Sequence, residues 1–261
     1  MKNFPIQDID LQQKNSPPTH FDEFFNITHI KDKETPYTDQ NEISTKKEIP
    51  MSKVLEVKYH NQINNKILPY VTCGTTSLSM YLNYLNDKFS KSYECDDDKV
   101  FEILNGPEMT AIAKDMVKKG IIDKSALEFR VDNVNTEIKE NLYNHTNNMS
   151  DVLAQLGNFI TKNEYIFKTI YLDATEIKGM IDKGYPVEIS GKFTAGGHFV
   201  LIVGYDGEDF ICHDPYGNFN KAYAKDTLGL GSSLKYNIEK VSSIATIQNS
   251  AKKAKCLIVN V

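Results

Sequence analysis

The stretch TCGTTSLSMYLNYLN, residues Thr72 to Asn86, constrains this chain more than any other. Leu78, Tyr81, Leu82 and Leu85 recur at the i, i+3, i+4, i+7 spacing of an amphipathic helix. Met80 and Tyr84 widen the apolar surface, and only Ser79, Asn83 and Asn86 leave a thin polar stripe. A helix that apolar must be packed on nearly every side. Cys73 stands in its first turn, followed by Gly74 and a run of small hydroxyl residues. Unpaired backbone N–H groups and the helix dipole favour negative charge there, which moves a thiol toward thiolate. Taken alone, Cys73 is equally well read as a small buried side chain. Its partners must decide.

The rest of the composition narrows the field. The 261 residues carry a net charge of −5, with no Lys/Arg cluster interleaved with aromatics, so no nucleic-acid partner is expected. No apolar run approaches the roughly 18 residues of a membrane span. The start, MKNFPIQDIDLQQKNSPP, lacks the apolar core of a secretory signal. These features predict a cytoplasmic protein by default, with export by another route left open. Cys73, Cys95, Cys212 and Cys256 lie far apart with no C-x-x-C pair, which predicts reduced thiols and neither a zinc knuckle nor a disulfide framework.

Residues 1–50 read as an extended polar arm broken by prolines. Phe21, Phe24 and Phe25 give it one apolar patch, which could dock on the domain or cover its active site. The globular domain is expected over 51–261, opening with a half-buried strand in which Leu55, Val57 and Tyr59 alternate with charge. A helical insertion follows near 95–160. Val100, Phe101 and Leu104 mark one helix, Met109 to Val117 the next, and Val152 to Ile160 a third, with a short strand at 127–131 and a loop at 132–148 between them. From Glu164 the texture turns to short strands: EYIFKTIYL, PVEISGKF, HFVLIVGY, DFICH and a final CLIVNV. Asp173 and Glu176 form a capping-box start to a helix that Gly184 ends. Helices first and an antiparallel sheet second give the class α+β.

A thiolate nucleophile needs a base, and the base needs an orienting acceptor on its other nitrogen. His20 and His29 fall in the arm, His145 in the loop, and His60 at the end of the first strand. His198 opens the most apolar strand and follows Gly196-Gly197, where absent side chains allow close approach. Strand alternation turns Phe210, Cys212 and Asp214 one way and Ile211 and His213 the other, so Asp214 can face His198 on a neighbouring strand. The same alternation speaks against a zinc site built from Cys212, His213, Asp214 and His198. Asp96-Asp97-Asp98 lacks EF-hand spacing and reads as a helix-start charge cluster. No cofactor and no metal are expected.

With those residues in view, Gln62, TCGTTSLSMYLNYL, GYPVEIS and GGHFVLIVGYDGEDFICHDPYG together resemble the papain-like cysteine peptidases. More closely, they are similar to the branch related to bacteriocin-processing double-glycine peptidases. The resemblance covers roughly residues 53–90 and 164–220. It implies a papain-like fold with Cys73 as nucleophile, His198 as general base, Asp214 as orienting acid and Gln62 as an oxyanion-hole donor beside the Cys73 N–H. Gln12, Gln13, Gln40 and Asn65 stay open as alternatives to Gln62. Thr75 stands where many relatives have proline, and some relatives are binding domains without the cysteine. The implied activity is peptide-bond hydrolysis through a thioester acyl-enzyme, on a peptide or protein substrate. A peptidoglycan-cleaving amidase or endopeptidase (a lysin) using the same triad, and a non-catalytic peptide-binding module, are the alternatives.

Overall fold

A computed structural model describes residues 51–120, 149–245 and 253–260. These belong to one compact unit, Glu48–Val261. The arm with Phe21, Phe24 and Phe25, and the strand and loop expected over 127–148, lie outside the described residues.

Helix α1, Cys73–Phe89, is the packed helix its pattern demands: Leu78, Met80, Tyr81, Leu82 and Leu85 are wholly buried. It stops where Ser90 takes a left-handed conformation and its N–H bonds Asn86 O. The acidic triplet then starts α2, Asp97–Asn105, with each carboxylate employed. Asp96 caps the helix on Lys99 N at 3.0 Å, Asp97 binds His60 Nδ1 at 2.8 Å, and Asp98 accepts from Lys66 N at 3.0 Å. Pro107 opens α3, Pro107–Lys118, where its missing N–H costs nothing. Helix α4 spans Met149–Ile160 and packs on α1. The expected capping box of Asp173 and Glu176 begins α5, Ala174–Asp182.

Among the described residues, seven strands form one antiparallel sheet in the order β2-β7-β3-β4-β5-β6, with β1 pairing the far end of β4. Their spans are β1 Ser52–Val54, β2 Phe167–Leu172, β3 Val187–Gly191, β4 His198–Asp206, β5 Asp209–His213, β6 Leu234–Asn237 and β7 Ala254–Val259. As its two-sided apolar pattern implies, β4 is central, flanked by β3 and β5. Gly204 is required there: a Cβ would stand 2.5 Å from Lys53 O of β1. A helix α6, Ile238–Ala245, covers the β3 side of the sheet at Gly191, where a Cβ would meet Ile244 O at 2.9 Å.

Two strand assignments need correction. Leu55, Val57 and Tyr59 are not a paired strand, because the ladder ends at Val54, with one last bond from Leu55 N to Val203 O at 2.8 Å, and Val57 N turns back onto Leu55 O at 2.9 Å. The turn carries Tyr59 to the far side of β5, where its hydroxyl bonds Asp214 O at 3.0 Å and Gly229 O at 3.1 Å. The strand expected from Glu164 starts at Phe167, since Glu164 N is still bonded to Thr161 O of the preceding turn. Strand β6 and helix α6 are additions: their segments are too short to announce themselves by pattern.

Candidate active site

Cys73 is the first residue of α1, preceded by Thr72, whose side chain does not cap the helix. No acidic residue occupies the first turn. The positive end of the helix dipole is therefore left to whatever charge Cys73 carries. Gly74 lets this helix mouth approach α4 and the sheet: a Cβ would lie 2.8 Å from Leu153 Cδ1 of α4 and 3.4 Å from the Phe199 ring of β4. Thr72 Oγ1 instead accepts from Asn65 Nδ2 at 2.9 Å, as does Thr76 Oγ1 at 2.9 Å. Both Asn65 protons are thus occupied.

His198 begins β4 after a tight turn in which Gly197 has φ +84° and Thr194 Oγ1 bonds Gly197 O at 2.6 Å. Its Nε2 lies 2.8 Å from Asp214 Oδ1, leaving Nδ1 to face Cys73. The rings of Phe193, Tyr216 and Tyr223 stand edge-on around the imidazole, with centroids at 6.2, 6.2 and 5.6 Å. Three of the expected residues, Cys73, His198 and Asp214, therefore converge from a helix mouth, a strand start and a strand end.

Asp214 is fully buried and heavily hydrogen-bonded. Besides His198, Oδ1 accepts from Tyr216 N at 3.1 Å and Gly217 N at 3.3 Å. Oδ2 accepts from the hydroxyls of Tyr223 at 3.0 Å and Tyr236 at 2.8 Å. Reading the sequence missed both tyrosines. No local motif marks them, because they reach Asp214 from a loop and from β6, connected only through the fold.

These contacts set the charges. Burial pushes the Cys73 thiol up, but the His198 charge and hydrogen bond, with the N–H groups of Phe199 and Gly74, outweigh it and hold Cys73 below the ordinary thiol value. Burial pushes His198 down, and the charges of Asp214 and then Cys73 overcome it, raising the imidazole to about 10. Thiolate and imidazolium support one another.

Gln62 sits in a short 3₁₀ turn, Gln62–Asn64, and is buried. Its backbone N–H donates to Pro215 O at 2.9 Å and its Nε2 to Pro69 O at 2.8 Å. It thus ties the turn after Asp214 to the segment leading into Cys73, with one amide N–H left over. His213 is separate from the cluster. Its Nε2 lies 2.8 Å from Val57 O and its Nδ1 accepts from Ser233 N at 3.0 Å, so both ring nitrogens serve structure.

The model of the Peptidase_C39-like family matches residues 54–241. The chain belongs to the Peptidase_C39-like family. This places it among papain-like cysteine peptidases related to the C39 peptidases, and the α+β architecture of helices on an antiparallel sheet agrees with that fold. A solved structure from Bacillus anthracis, provisionally described as a C39-like peptidase, aligns over 80% of this chain and 98% of its own, at 15% identity and a TM-score of 0.42. No curated protein matches the sequence. No helix among the described residues is long and apolar enough to cross a membrane.

Proposed function

We propose that this family member is a cysteine peptidase that cleaves peptide bonds through a Cys73–His198–Asp214 triad. The observation that carries the reading is the joint arrangement: a thiol at an uncapped helix mouth, apposed to a histidine whose far nitrogen is 2.8 Å from a fully buried carboxylate. The Cys73 thiolate attacks the scissile carbonyl carbon, forming a C–S bond and an oxyanion. The Cys73 N–H, which has no intrahelical partner in the first turn, and the remaining Gln62 amide N–H stabilise that oxyanion. His198 then gives its proton to the leaving amine as the C–N bond breaks. In the second half, neutral His198 takes a proton from water, the resulting hydroxide attacks the thioester, and the carboxylic acid leaves as the thiolate returns. Asp214 keeps Nε2 occupied, so that Nδ1 is the nitrogen available for both transfers.

We further propose that the catalytic domain is the 51–261 segment and that residues 1–50 lie outside it. No observation favours the cell-wall or the non-catalytic alternative. The reading is tested by hydrolysis of a degenerate peptide library by wild-type protein, Cys73→Ala and His198→Ala. Cleavage by the wild type and none by either variant is expected. Equal cleavage by wild type and Cys73→Ala would remove Cys73 as the nucleophile.

A further inference from the structure

The hydroxyls of Tyr236 and Tyr223 both reach Asp214 Oδ2, but from different settings. Tyr236 lies in β6, is 1% exposed and also accepts from Phe219 N, so it belongs to the core. Tyr223 comes from a surface loop. Of residues 220–226 it alone is not exposed. Its backbone is unusual as well: Ala222 has φ +49° and Tyr223 φ +55°, two successive residues with side chains in the left-handed region. Ala222 is there as the ordinary close of a helical turn, capping Phe219–Lys221 with its N–H on Phe219 O at 2.9 Å. That turn is complete without Tyr223, and a bulky aromatic is a costly choice for a second left-handed position. The loop nevertheless fixes it, with Tyr223 N on Asn218 O and Ala224 N on Lys221 O, both at 3.0 Å. Conformations of this kind persist where the surroundings over-determine them, and they gather at functional sites.

The conformation places a ring. The Tyr223 centroid lies 5.6 Å from that of His198, edge-on at 77°, against 6.2 Å for Phe193 and for Tyr216. Tyr216 and Phe219 stand beside the Tyr223 ring at 5.3 and 6.2 Å. Its hydroxyl donates to Asp214 Oδ2 at 3.0 Å. One side chain therefore touches both His198 and Asp214. His198 needs such a contact. Asp214 holds its Nε2, but the χ2 torsion of a histidine is broad, and a bond at one nitrogen leaves the ring able to pivot.

We propose that Tyr223 is a positioning residue for the Cys73–His198 pair: its hydroxyl, seated on Asp214, anchors a ring whose edge stops the imidazole from turning Nδ1 away from Cys73. The inference rests on the proposed roles of Cys73 and His198. A donor on Oδ2 stabilises the carboxylate and so weakens its pull on the imidazolium. The contribution of Tyr223 is thus where it puts the ring, and the hydroxyl serves to hold it there.

The test is the rate at which iodoacetamide alkylates Cys73 at about pH 6, read on the Cys73 peptide by mass spectrometry; an ordinary thiol with pKa near 8.5 is almost wholly protonated there. Tyr223→Leu removes the ring and should slow the reaction about tenfold, equivalent to about 1.4 kcal/mol. Tyr223→Met, also ringless, should slow it likewise, so the test stands if the leucine variant does not fold. Tyr223→Phe keeps the ring and should stay within about threefold of wild type. In a His198→Ala background, read at about pH 8 where a bare thiol reacts, adding Tyr223→Leu should change nothing, because no imidazole is left to hold. The same slowing in that background would show that the loop disturbs Cys73 by itself, and would overturn the proposal. A wild-type rate in Tyr223→Leu, or equal slowing in Tyr223→Phe and Tyr223→Leu, would overturn it too, and each of these results leaves Cys73 and His198 as a pair. A wild-type Cys73 that reacts as an ordinary thiol at about pH 6 would overturn the pair, and this inference with it.

Discussion

Replacing Asp214 by asparagine separates the charge of the proposed acid from its shape. The amide oxygen can keep the Oδ1 position, accepting from His198 Nε2 and from the N–H groups of Tyr216 and Gly217. The amide NH₂ then faces the Tyr223 and Tyr236 hydroxyls, which must turn from donors into acceptors. Tyr236 already accepts from Phe219 N at 2.9 Å, so its bond to the amide is the imperfect one. That costs about 1–3 kcal/mol of stability, and the protein should remain folded. The charge loss weighs more on the site. A rise of His198 from its ordinary 6.5 to about 10 corresponds to about 5 kcal/mol in favour of the imidazolium, net of burial, and Asp214 is the largest favourable contributor. If asparagine removes roughly half of this, the thiolate–imidazolium pair loses about 2–3 kcal/mol, or about 30- to 150-fold in population. Alkylation of Cys73 by iodoacetamide at about pH 6 should slow by that factor and recover as pH approaches the ordinary thiol range. The His198 ring, followed by nitrogen-15 NMR, should titrate well below its wild-type midpoint. A folded Asp214→Asn protein that alkylates at the wild-type rate, with the His198 midpoint unmoved, would refute the electrostatic role of Asp214.

Three further outcomes are expected. Gln62→Ala should lower kcat by about 10²–10³ with little change in KM, and leave iodoacetamide reactivity of Cys73 intact, because alkylation forms no oxyanion; an unchanged kcat in steady-state assays would move the donor elsewhere. Tyr236→Phe removes the 2.8 Å donor to Asp214 Oδ2 and the acceptor of Phe219 N, so chemical denaturation should show a loss of about 1–3 kcal/mol, larger than for Tyr223→Phe, which loses the 3.0 Å bond alone. Glu188 holds a proton in the folded state that it loses when unfolded, so its stabilising effect is complete only below the unfolded carboxyl pKa and declines as pH rises toward the folded value; the Tm of Glu188→Gln should therefore gain on wild type from about pH 5 to about pH 8, and a constant difference would show that Glu188 does not hold that proton.

The parts of this protein legible in its sequence are those whose signals are local. The α1 pattern needs only eight residues, Leu78 to Leu85, to declare a buried helix, and the Asp173/Glu176 box needs four. Cys73, His198 and Asp214 could be offered as candidates because each lies where a regular element begins or ends, marked by Gly74, Gly196-Gly197 and Pro215, and because the motifs around them resemble those of the papain-like peptidases. Tyr223 and Tyr236 carried no such mark. Their role exists only once the loop after Asp214 folds back: Gly231 O bonds Asp214 N at 2.9 Å, and a Cβ on Gly231 would collide with Asp214 O at 1.7 Å. The segment from Leu55 to Tyr59 misled for the opposite reason. Its alternation is real, and Leu55 and Val57 are buried, but the chain leaves β4 so that Tyr59 can support the same loop.

Glu188 shows where alternation itself stops being informative. In Val187-Glu188-Ile189-Ser190, period-two reading puts Glu188 and Ser190 on a wet face. That inference assumes a sheet with one face in solvent, whereas β3 has α6 against Gly191 on one side and α4 against Ser190 on the other. Once both faces are covered, the polar position of the alternating pair becomes a buried one, and a carboxyl there conflicts with its surroundings. A core built for stability alone would place an apolar residue between Leu201 and Leu257. A local choice that opposes the fold is explained when something other than the fold depends on it, and burial holds this carboxyl well above the ordinary carboxylate range.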